Sequence, residues 1–155
     1  MSNFKELTLE KFTLDILEKS WNWLNDGEIK QLTQTPNFTK EEQRIWYNGL
    51  EKNPNYFVKG IKYDGKIIGV VGLKKINFEN KQAEYFGYIG EKEYWGKGLS
   101  SKIFEIIIEE CRKMGITYLF LNVIPENKRA IRAYEKAGFR QTEISENNIK
   151  MVLTI

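Results

Sequence analysis

The chain has 155 residues, and its 24 basic and 21 acidic side chains are interspersed and give a net charge of +3; this predicts one compact domain over residues 1–155 and argues against a nucleic-acid partner. It has no histidine and one cysteine, which excludes histidine-dependent nucleophile systems, the usual zinc sites and an intrachain disulfide. It lacks a signal-like N-terminus, a run of about 18 apolar residues and any cluster of acidic residues, so we expect a cytoplasmic protein without a membrane partner or a metal.

The first 50 residues predict one strand and two helices. A strand is expected around Phe4–Leu9, followed by a helix over Leu14–Leu24 that carries apolar residues at helical spacing and ends at Asn25-Asp26-Gly27. Thr39 and Glu42 match a capping box, which predicts a second helix from there to about residue 50.

The middle of the chain predicts an antiparallel meander. Two apolar, β-rich runs, Tyr56–Tyr63 and Lys66–Ile76, are separated by Asp64-Gly65, a strong signal for a two-residue hairpin turn. Phe78–Lys81 is expected to form a second turn that leads into a strand over Gln82–Ile89.

The pattern then changes to long helices that alternate with strands. The expected elements are an amphipathic helix over Gly98–Met114 closed by Gly115, a buried strand over Thr117–Ile124, a helix over Asn127–Lys136 closed by Gly138, a strand from Phe139 onward and a strand over Ile149–Ile155. The strand before the first of these helices and the strand after it should be parallel, as in a β-α-β unit. The whole pattern predicts an α+β domain with a mixed sheet of about seven strands and four helices.

The segment YWGKGLS, residues 94–100, lies between a predicted strand and the start of the long helix. Gly96 and Gly98 allow a tight turn there and leave no Cβ to block a ligand. The first amides of the helix have no intrahelical partner and carry partial positive charge, which favours a bound phosphate. On spacing alone, a simple tight turn explains the two glycines about equally well.

The segment Trp95-Gly96-Lys97-Gly98-Leu99-Ser100 resembles the cofactor loop of the GNAT superfamily of N-acetyltransferases, which reads Arg/Gln-x-x-Gly-x-Gly/Ala. Its first and last positions depart from that pattern. The form Tyr-Trp-Gly-x-Gly, preceded by Gly87-Tyr88, is similar to the branch of ribosomal-protein N-terminal acetyltransferases. Farther along, Asn127–Ala130 and Tyr134–Phe139 resemble the family's Asn-x-x-Ala/Ser and Tyr-Glu-Lys-x-Gly-Phe segments.

This resemblance implies an enzyme of the GNAT fold that transfers an acetyl group from acetyl-CoA directly to a primary amine in a ternary complex. The loop amides would hold the pyrophosphate, and a strand edge would pair with the amide groups of pantetheine. The residues that the resemblance assigns to cofactor binding are Tyr88, Ile89, Gly90, Trp95, Gly96, Lys97, Gly98, Leu99, Ser100, Ser101, Asn122, Asn127 and Arg129.

Two residues are candidates for catalysis. By resemblance, Tyr134 is the general acid toward the departing thiolate, although a ring that only packs against the core or cofactor is the alternative. Glu84 is the candidate general base or amine ligand, and an exposed strand glutamate is the equally favoured alternative. Cys111 lies on the apolar stripe of the long helix, which favours a core residue over an acetyl-carrying nucleophile.

The acceptor is open among several classes. Three segments, Leu24-Asn25-Asp26, Lys52-Asn53-Pro54-Asn55-Tyr56 and Ile76-Asn77-Phe78, loosely resemble acetyltransferases that act on nucleotide-linked amino sugars of the pseudaminic-acid pathway. The loop favours the ribosomal-protein type, whose acceptor is a peptide N-terminus, and a non-catalytic acyl-CoA sensor is the third possibility. We expect a monomer or a homodimer.

Overall fold

Seven strands form one sheet in the order β1-β2-β3-β4-β5-β7-β6 in a computed structural model that describes residues 5–155. The strands are β1 (Leu7–Lys11), β2 (Phe57–Tyr63), β3 (Lys66–Asn77), β4 (Gln82–Ile89), β5 (Tyr118–Val123), β6 (Arg140–Ile144) and β7 (Ile149–Thr154). The α-helices are α1 (Leu14–Leu24), α2 (Gly27–Leu32), α3 (Lys40–Gly49), α4 (Leu99–Met114) and α5 (Lys128–Ala137). Short 3₁₀ turns occupy Leu50–Lys52 and Lys92–Tyr94.

The expected α+β fold with a mixed sheet is confirmed. Strands β1 to β4 form an antiparallel meander, β4 and β5 are parallel, and β5, β7 and β6 are antiparallel. The capping box at Thr39 and the Asp64-Gly65 hairpin turn are both present, with positive φ angles of 52° and 78° at the two turn residues. Of the first expected strand, Phe4 lies outside the described residues.

The described residues contain five α-helices, so the expected number of four was wrong. The segment Asn25-Asp26-Gly27 ends α1 as expected, but it also starts α2 at once. The Asp26 carboxylate accepts a hydrogen bond from the Ile29 amide at 3.1 Å, which caps the new helix. A helix of only six residues leaves too little periodicity to be recognised beside this stop signal.

The parallel pairing of β4 and β5 is short, and the two strands then diverge. Their register runs only from Gln82 opposite Tyr118 to Glu84 opposite Phe120. Beyond that point β4 continues beside β3, whereas β5 continues beside β7. The backbone groups of residues 85–89 that face β5 therefore have no strand partner, and a cleft opens between the two strands.

Apolar residues cover both faces of the sheet. The larger cluster packs α4 and α5 against one face, and the smaller cluster packs α1, α2 and α3 against the other. The expected buried strand over Thr117–Ile124 corresponds to β5, in which Leu119, Leu121 and Val123 are buried and Asn122 is exposed. The buried face of β5 contributes to the core, and Asn122 lies on the other face and lines the cleft.

We predict that Gly90→Ala destabilises the protein by about 1–3 kcal/mol, because a methyl group there would overlap the buried indole ring of Trp23. Gly49→Ala, at the end of α3, is the matched control because its added methyl group meets no atom within 4 Å. Urea unfolding of both variants measures the difference. Equal stability of the two variants would contradict the proposed steric clash.

Candidate active site

A cleft between β4 and β5 has a volume of about 1280 Å³. One end is formed by the glycine loop and the start of α4, together with residues of α5. The other end is formed by side chains from α2, α3 and the turn between β6 and β7. Glu84 and Tyr134 both line this cleft, so the structure brings the two catalytic candidates to one cavity.

The glycine loop has the backbone that the sequence predicts. Gly96 and Gly98 have φ angles of +72° and +75°, in the left-handed region that favours glycine, and a Cβ at either would meet no atom within 4 Å. No side chain caps α4 and its first turn carries no acidic residue. Among the described residues, no amide from Gly96 to Ser101 donates to a turn, loop or cap acceptor. The loop therefore presents open space lined by free backbone donors.

Trp95 anchors this loop to the end of β4. Its indole Nε1 donates a hydrogen bond to the Ile89 carbonyl at 2.7 Å. The guanidinium of Arg129, in the first turn of α5, lies 4.3 Å from the centre of the indole ring, a cation–π distance. The residue that departs from the expected Arg/Gln thus fixes the loop in place and connects it to α5.

A group of ion pairs joins α2 to the turn that precedes the loop. Lys92 Nζ lies 2.9 Å from Asp26 Oδ2 and 3.1 Å from Glu28 Oε1. The hydrogen bond from Lys92 is the main cause of a lowered pKa at Asp26. Because these groups are exposed, the pairs add little to stability, but they link α2, at one end of the cleft, to the glycine loop at the other end.

Most of the predicted cofactor residues line the cleft, and Gly90 does not. The residues on its wall are Tyr88, Ile89, Trp95, Gly96, Lys97, Gly98, Leu99, Ser100, Ser101, Asn122, Asn127 and Arg129. Gly90 packs against Trp23, and its amide already donates to the Ile68 carbonyl at 2.7 Å. Asn127 also caps α5, since its side chain accepts from the Ala130 amide at 3.4 Å.

Tyr134 packs in an aromatic cluster and still reaches the cleft. Its ring centre lies 5.5 Å from that of Phe104, 5.8 Å from that of Phe139 and 6.0 Å from that of Tyr85. Burial raises the pKa of Tyr134 to about 12, so the phenol is protonated at neutral pH. Its hydroxyl has no hydrogen-bond partner among residues 5–155, and the hydroxyl oxygen is not completely buried. Because Tyr134 lines the cleft, the hydroxyl is open to it.

Glu84 is buried, so it is not an exposed strand glutamate. The residue is only 7% exposed, and its Oε2 accepts a hydrogen bond from Asn122 Nδ2 at 3.4 Å. Lys74 Nζ lies 3.8 Å from Oε2, and Lys75 Nζ lies 3.3 Å from Oε1. Oε1 is buried and has no partner in hydrogen-bond geometry among the described residues. A buried carboxylate oxygen with a free lone pair can accept an N–H of a ligand or water.

The family resemblance assigned Asn122 to cofactor binding, but in the structure its side chain is hydrogen-bonded to Glu84. Alternation along β5 points Leu121 and Val123 toward α4 and Asn122 toward the opposite face of the sheet. Its amide bridges two groups there, donating to Glu84 and accepting from Asn148 Nδ2 at 3.0 Å. This placement favours the acceptor end of the cleft for Asn122.

No sequence pattern pointed to Lys75, which contacts Glu84, or to Asn148, which lines the cleft. Asn148 lies in the turn between β6 and β7, far from Asn122 along the chain, so no local pattern connects them. Lys75 follows Lys74 directly, and in a regular strand the two would point to opposite faces of the sheet. A positive φ of 52° at Lys75 changes that direction. The only sequence signal for the contact between Lys75 and Glu84 was the presence of two adjacent lysines in a predicted strand.

Cys111 is fully buried on the core-facing side of α4. Burial raises the pKa of its thiol to about 12. A buried, protonated thiol is not a nucleophile. Within residues 5–155, no three His, Cys, Asp or Glu side chains are grouped as a metal site would need. None of the helices in that part of the chain is long and apolar enough to cross a bilayer.

The comparisons with known proteins agree with the geometry. The model of the "Acetyltransferase (GNAT) family" matches residues 17–139. A probable N-acetyltransferase, YjcK of Bacillus subtilis, is 29% identical over 128 residues, which cover 81% of this chain and 65% of the relative. The [ribosomal protein bS18]-alanine N-acetyltransferase of Escherichia coli is 33% identical over 66 residues, which cover 43% of this chain and 45% of the relative.

The fold also matches solved structures. Spermidine N-acetyltransferase from Vibrio cholerae, in complex with CoA and spermine, superposes with a TM-score of 0.84 at 20% identity and covers 96% of this chain and 95% of that one. The chain spans less than two thirds of the length of the two curated relatives described above. Because the family model covers most of the chain, including the glycine loop and Tyr134, the chain belongs to the GNAT family of acetyltransferases.

Proposed function

We propose that this protein transfers the acetyl group of acetyl-CoA directly to a primary amine. The observation that carries the proposal is one cleft with three features: a loop of unpartnered amides, a protonated phenol and a buried carboxylate, Glu84. Acetyl-CoA would supply the activated acetyl thioester, and the chain would bind it, orient the amine and move the protons.

The glycine loop fits the pyrophosphate of acetyl-CoA. The amides from Gly96 to Ser101 and the positive end of α4 offer several donors to an anion, and the side chains of Lys97 and Arg129 add positive charge on the same wall. The unpaired edge of β4 at residues 85–89 offers backbone groups to the amides of pantetheine. We therefore assign this end of the cleft to the donor.

Tyr134 and Glu84 would transfer the protons of the reaction, to the departing thiolate and from the incoming amine. A phenol with a pKa of about 12 stays protonated at working pH, so Tyr134 donates a hydrogen bond or proton to the departing thiolate and does not act as a base. We assign to Glu84 Oε1 the role of accepting an N–H of the incoming amine, directly or through one water, because no donor meets this oxygen in hydrogen-bond geometry among the described residues; the Lys75 ammonium, 3.3 Å away, keeps the carboxylate charged. Asn122 holds the other oxygen.

The acceptor we favour is a small amine such as a nucleotide-linked amino sugar. Aromatic residues dominate the acceptor end of the cleft and offer flat apolar surface to a base or sugar ring; they are Phe12, Phe38, Trp46, Tyr56, Phe86 and Tyr88. The acidic residues on its described wall are Glu42 and Glu84, and both are engaged, Glu42 in the capping box of α3. Two lysines lie beside Glu84, so this wall offers little net negative charge to a polyamine.

A peptide N-terminus is the second candidate. The observation in its favour is the similarity to the ribosomal-protein alanine acetyltransferase over 66 residues. Similarity over so short a segment is explained by a shared acetyl-CoA site alone. The residues at the acceptor end of the cleft must therefore distinguish the two candidate acceptors.

Thiol release from acetyl-CoA, measured with a panel of amines, tests the proposed function. The panel contains a nucleotide-linked amino sugar, an aminoglycoside, spermidine and a peptide with a free N-terminus. We expect turnover with the amino sugar and little with spermidine. Thermal stabilisation by acetyl-CoA without turnover of any amine would instead support a sensor, and turnover of the peptide alone would support the second candidate.

We predict that Gly96→Ala weakens acetyl-CoA binding about tenfold, equivalent to about 1.4 kcal/mol, because the methyl group enters the space beside the loop amides. The control is Gly65→Ala, which introduces the same left-handed strain at φ +78° but lies in the β2–β3 turn. Both variants should lose stability, and only the first should lose affinity in calorimetry. Equal affinities would contradict the placement of the pyrophosphate.

We predict that Tyr134→Phe lowers kcat by about 10² or more, without loss of stability, because the removed hydroxyl has no partner among the described residues. Because burial raises the pKa of Tyr134, its deprotonation should cause no loss of wild-type kcat below about pH 10. Tyr85→Phe, in the same aromatic cluster, is the control and should keep its kcat. An equal loss in both variants would remove the acid role.

A further inference from the structure

A bulge in β3 brings two consecutive lysines to one carboxylate. Lys74 is the cross-strand partner of Glu84, and the register then shifts so that two β3 residues oppose one β4 residue. Lys75 adopts a φ of 52°, which is unfavourable for a residue other than glycine. As a result, both ammonium groups reach Glu84, Lys75 at 3.3 Å and Lys74 at 3.8 Å.

The two lysines leave an excess positive charge beside the candidate base. One ammonium group is sufficient to balance Glu84, and neither lysine has another carboxylate within 4.0 Å in the part of the chain described. The side chains of Lys74 and Lys75 are 38% and 71% exposed, whereas that of Glu84 is 9% exposed. The lysines can therefore bind a further anion while Glu84 stays buried.

Lys74 directs this charge toward the cleft. It lines the cleft wall, and its Nζ lies 5.7 Å from the ring centre of Phe86, another residue of that wall. The Glu84 carboxylate, whose Oε1 lies 3.3 Å from Lys75 Nζ, and the Asn122 amide belong to the same face of the sheet. An acceptor amine bound at Oε1 thus brings its neighbouring substituents close to Lys74 and Lys75.

This arrangement affects the acceptor in two ways. An amine must lose its proton before it attacks the thioester, and nearby like charges lower the pKa of an ammonium group, which favours the neutral nucleophile. The same charges repel a cation, and a polycation most of all. An anionic group on the acceptor removes that repulsion by pairing with the lysines.

We propose that Lys74 and Lys75 form a subsite for an anionic group, a phosphate or a carboxylate, on the acceptor amine. The proposal rests on the proposed function and narrows its substrate class. It predicts that the preferred acceptors carry negative charge close to the amine and that polyamines are poor acceptors.

The test compares matched acceptors that differ in one anionic group. Glucosamine 6-phosphate with glucosamine tests phosphate, serine with serine amide tests carboxylate, and spermidine tests a polycation. For wild-type protein we expect kcat/KM to be about tenfold higher for the anionic member of at least one pair. Which pair shows the difference distinguishes the two anions.

Lys74→Gln and Lys75→Gln should reduce this preference about fivefold or more, mainly through a higher KM for the anionic member. The neutral member should lose less than the anionic member, because only the anion forms the ion pair. Lys19→Gln, an exposed residue of α1 outside the cleft wall, is the control for the loss of one charge. Thermal melts of all variants check that the fold is intact.

Three results would overturn the proposal: equal kcat/KM within both pairs, equal losses for neutral and anionic members in the lysine variants, or spermidine as the best acceptor. If no amine is acetylated, the proposed function fails, and calorimetry with the CoA-loaded protein tests the subsite by itself. Lysine-dependent binding of an anionic member would still support the subsite. Equal binding of both members, or none, would overturn it.

Discussion

The divergence of β4 and β5 after Glu84 and Phe120 creates the site, and the other functional features depend on it. Had the parallel pairing continued, the β4 backbone from residue 85 to 89 would be hydrogen-bonded to β5 and no cleft would exist. The divergence instead leaves a row of backbone donors and acceptors without strand partners. The Ile89 carbonyl accepts from Trp95; the remaining groups must be hydrated or bound by a ligand, so this edge suits a chain of amides such as pantetheine.

An open sheet of this kind needs its two halves held at a fixed separation. Trp95 contributes from one side, through its hydrogen bond to the Ile89 carbonyl and its contact with Arg129 on α5. The packing of α4 and α5 against the same face of β4 and β5 contributes from the other. Contacts that restrain the loop before a ligand binds reduce the entropy lost on binding.

Features set by neighbouring residues were predictable from the sequence, and features set by distant contacts were not. The capping box at Thr39, the Asp64-Gly65 turn and the two left-handed glycines of the loop each depend on a few adjacent residues. In contrast, Gly90 is withdrawn from the cleft by packing against Trp23, far away in the chain. The helix α2 was missed because its cap coincides with the stop signal of α1.

The acceptor end shows the same contrast most clearly. Glu84 was identified by its place on the strand before the loop. Its contact with Lys75 depends on the bulge in β3, and its contact with Asn122 depends on β5. A strand pattern of period two assigns adjacent residues to opposite faces, so it places Lys75 on the wrong side. Sequence reasoning therefore predicts the shared donor chemistry more reliably than the choice of amine.

In the function we propose, the two ends of the cleft recognise their ligands by different physical means. At the donor end, backbone amides and the helix dipole would bind an anion, and these depend on φ angles and helix position more than on side-chain identity. At the acceptor end, recognition would depend on side chains such as Lys74, Lys75 and Asn122. A family built on this fold can therefore keep its donor and change its acceptor, which is why similarity confined to the loop region carries no information about the amine.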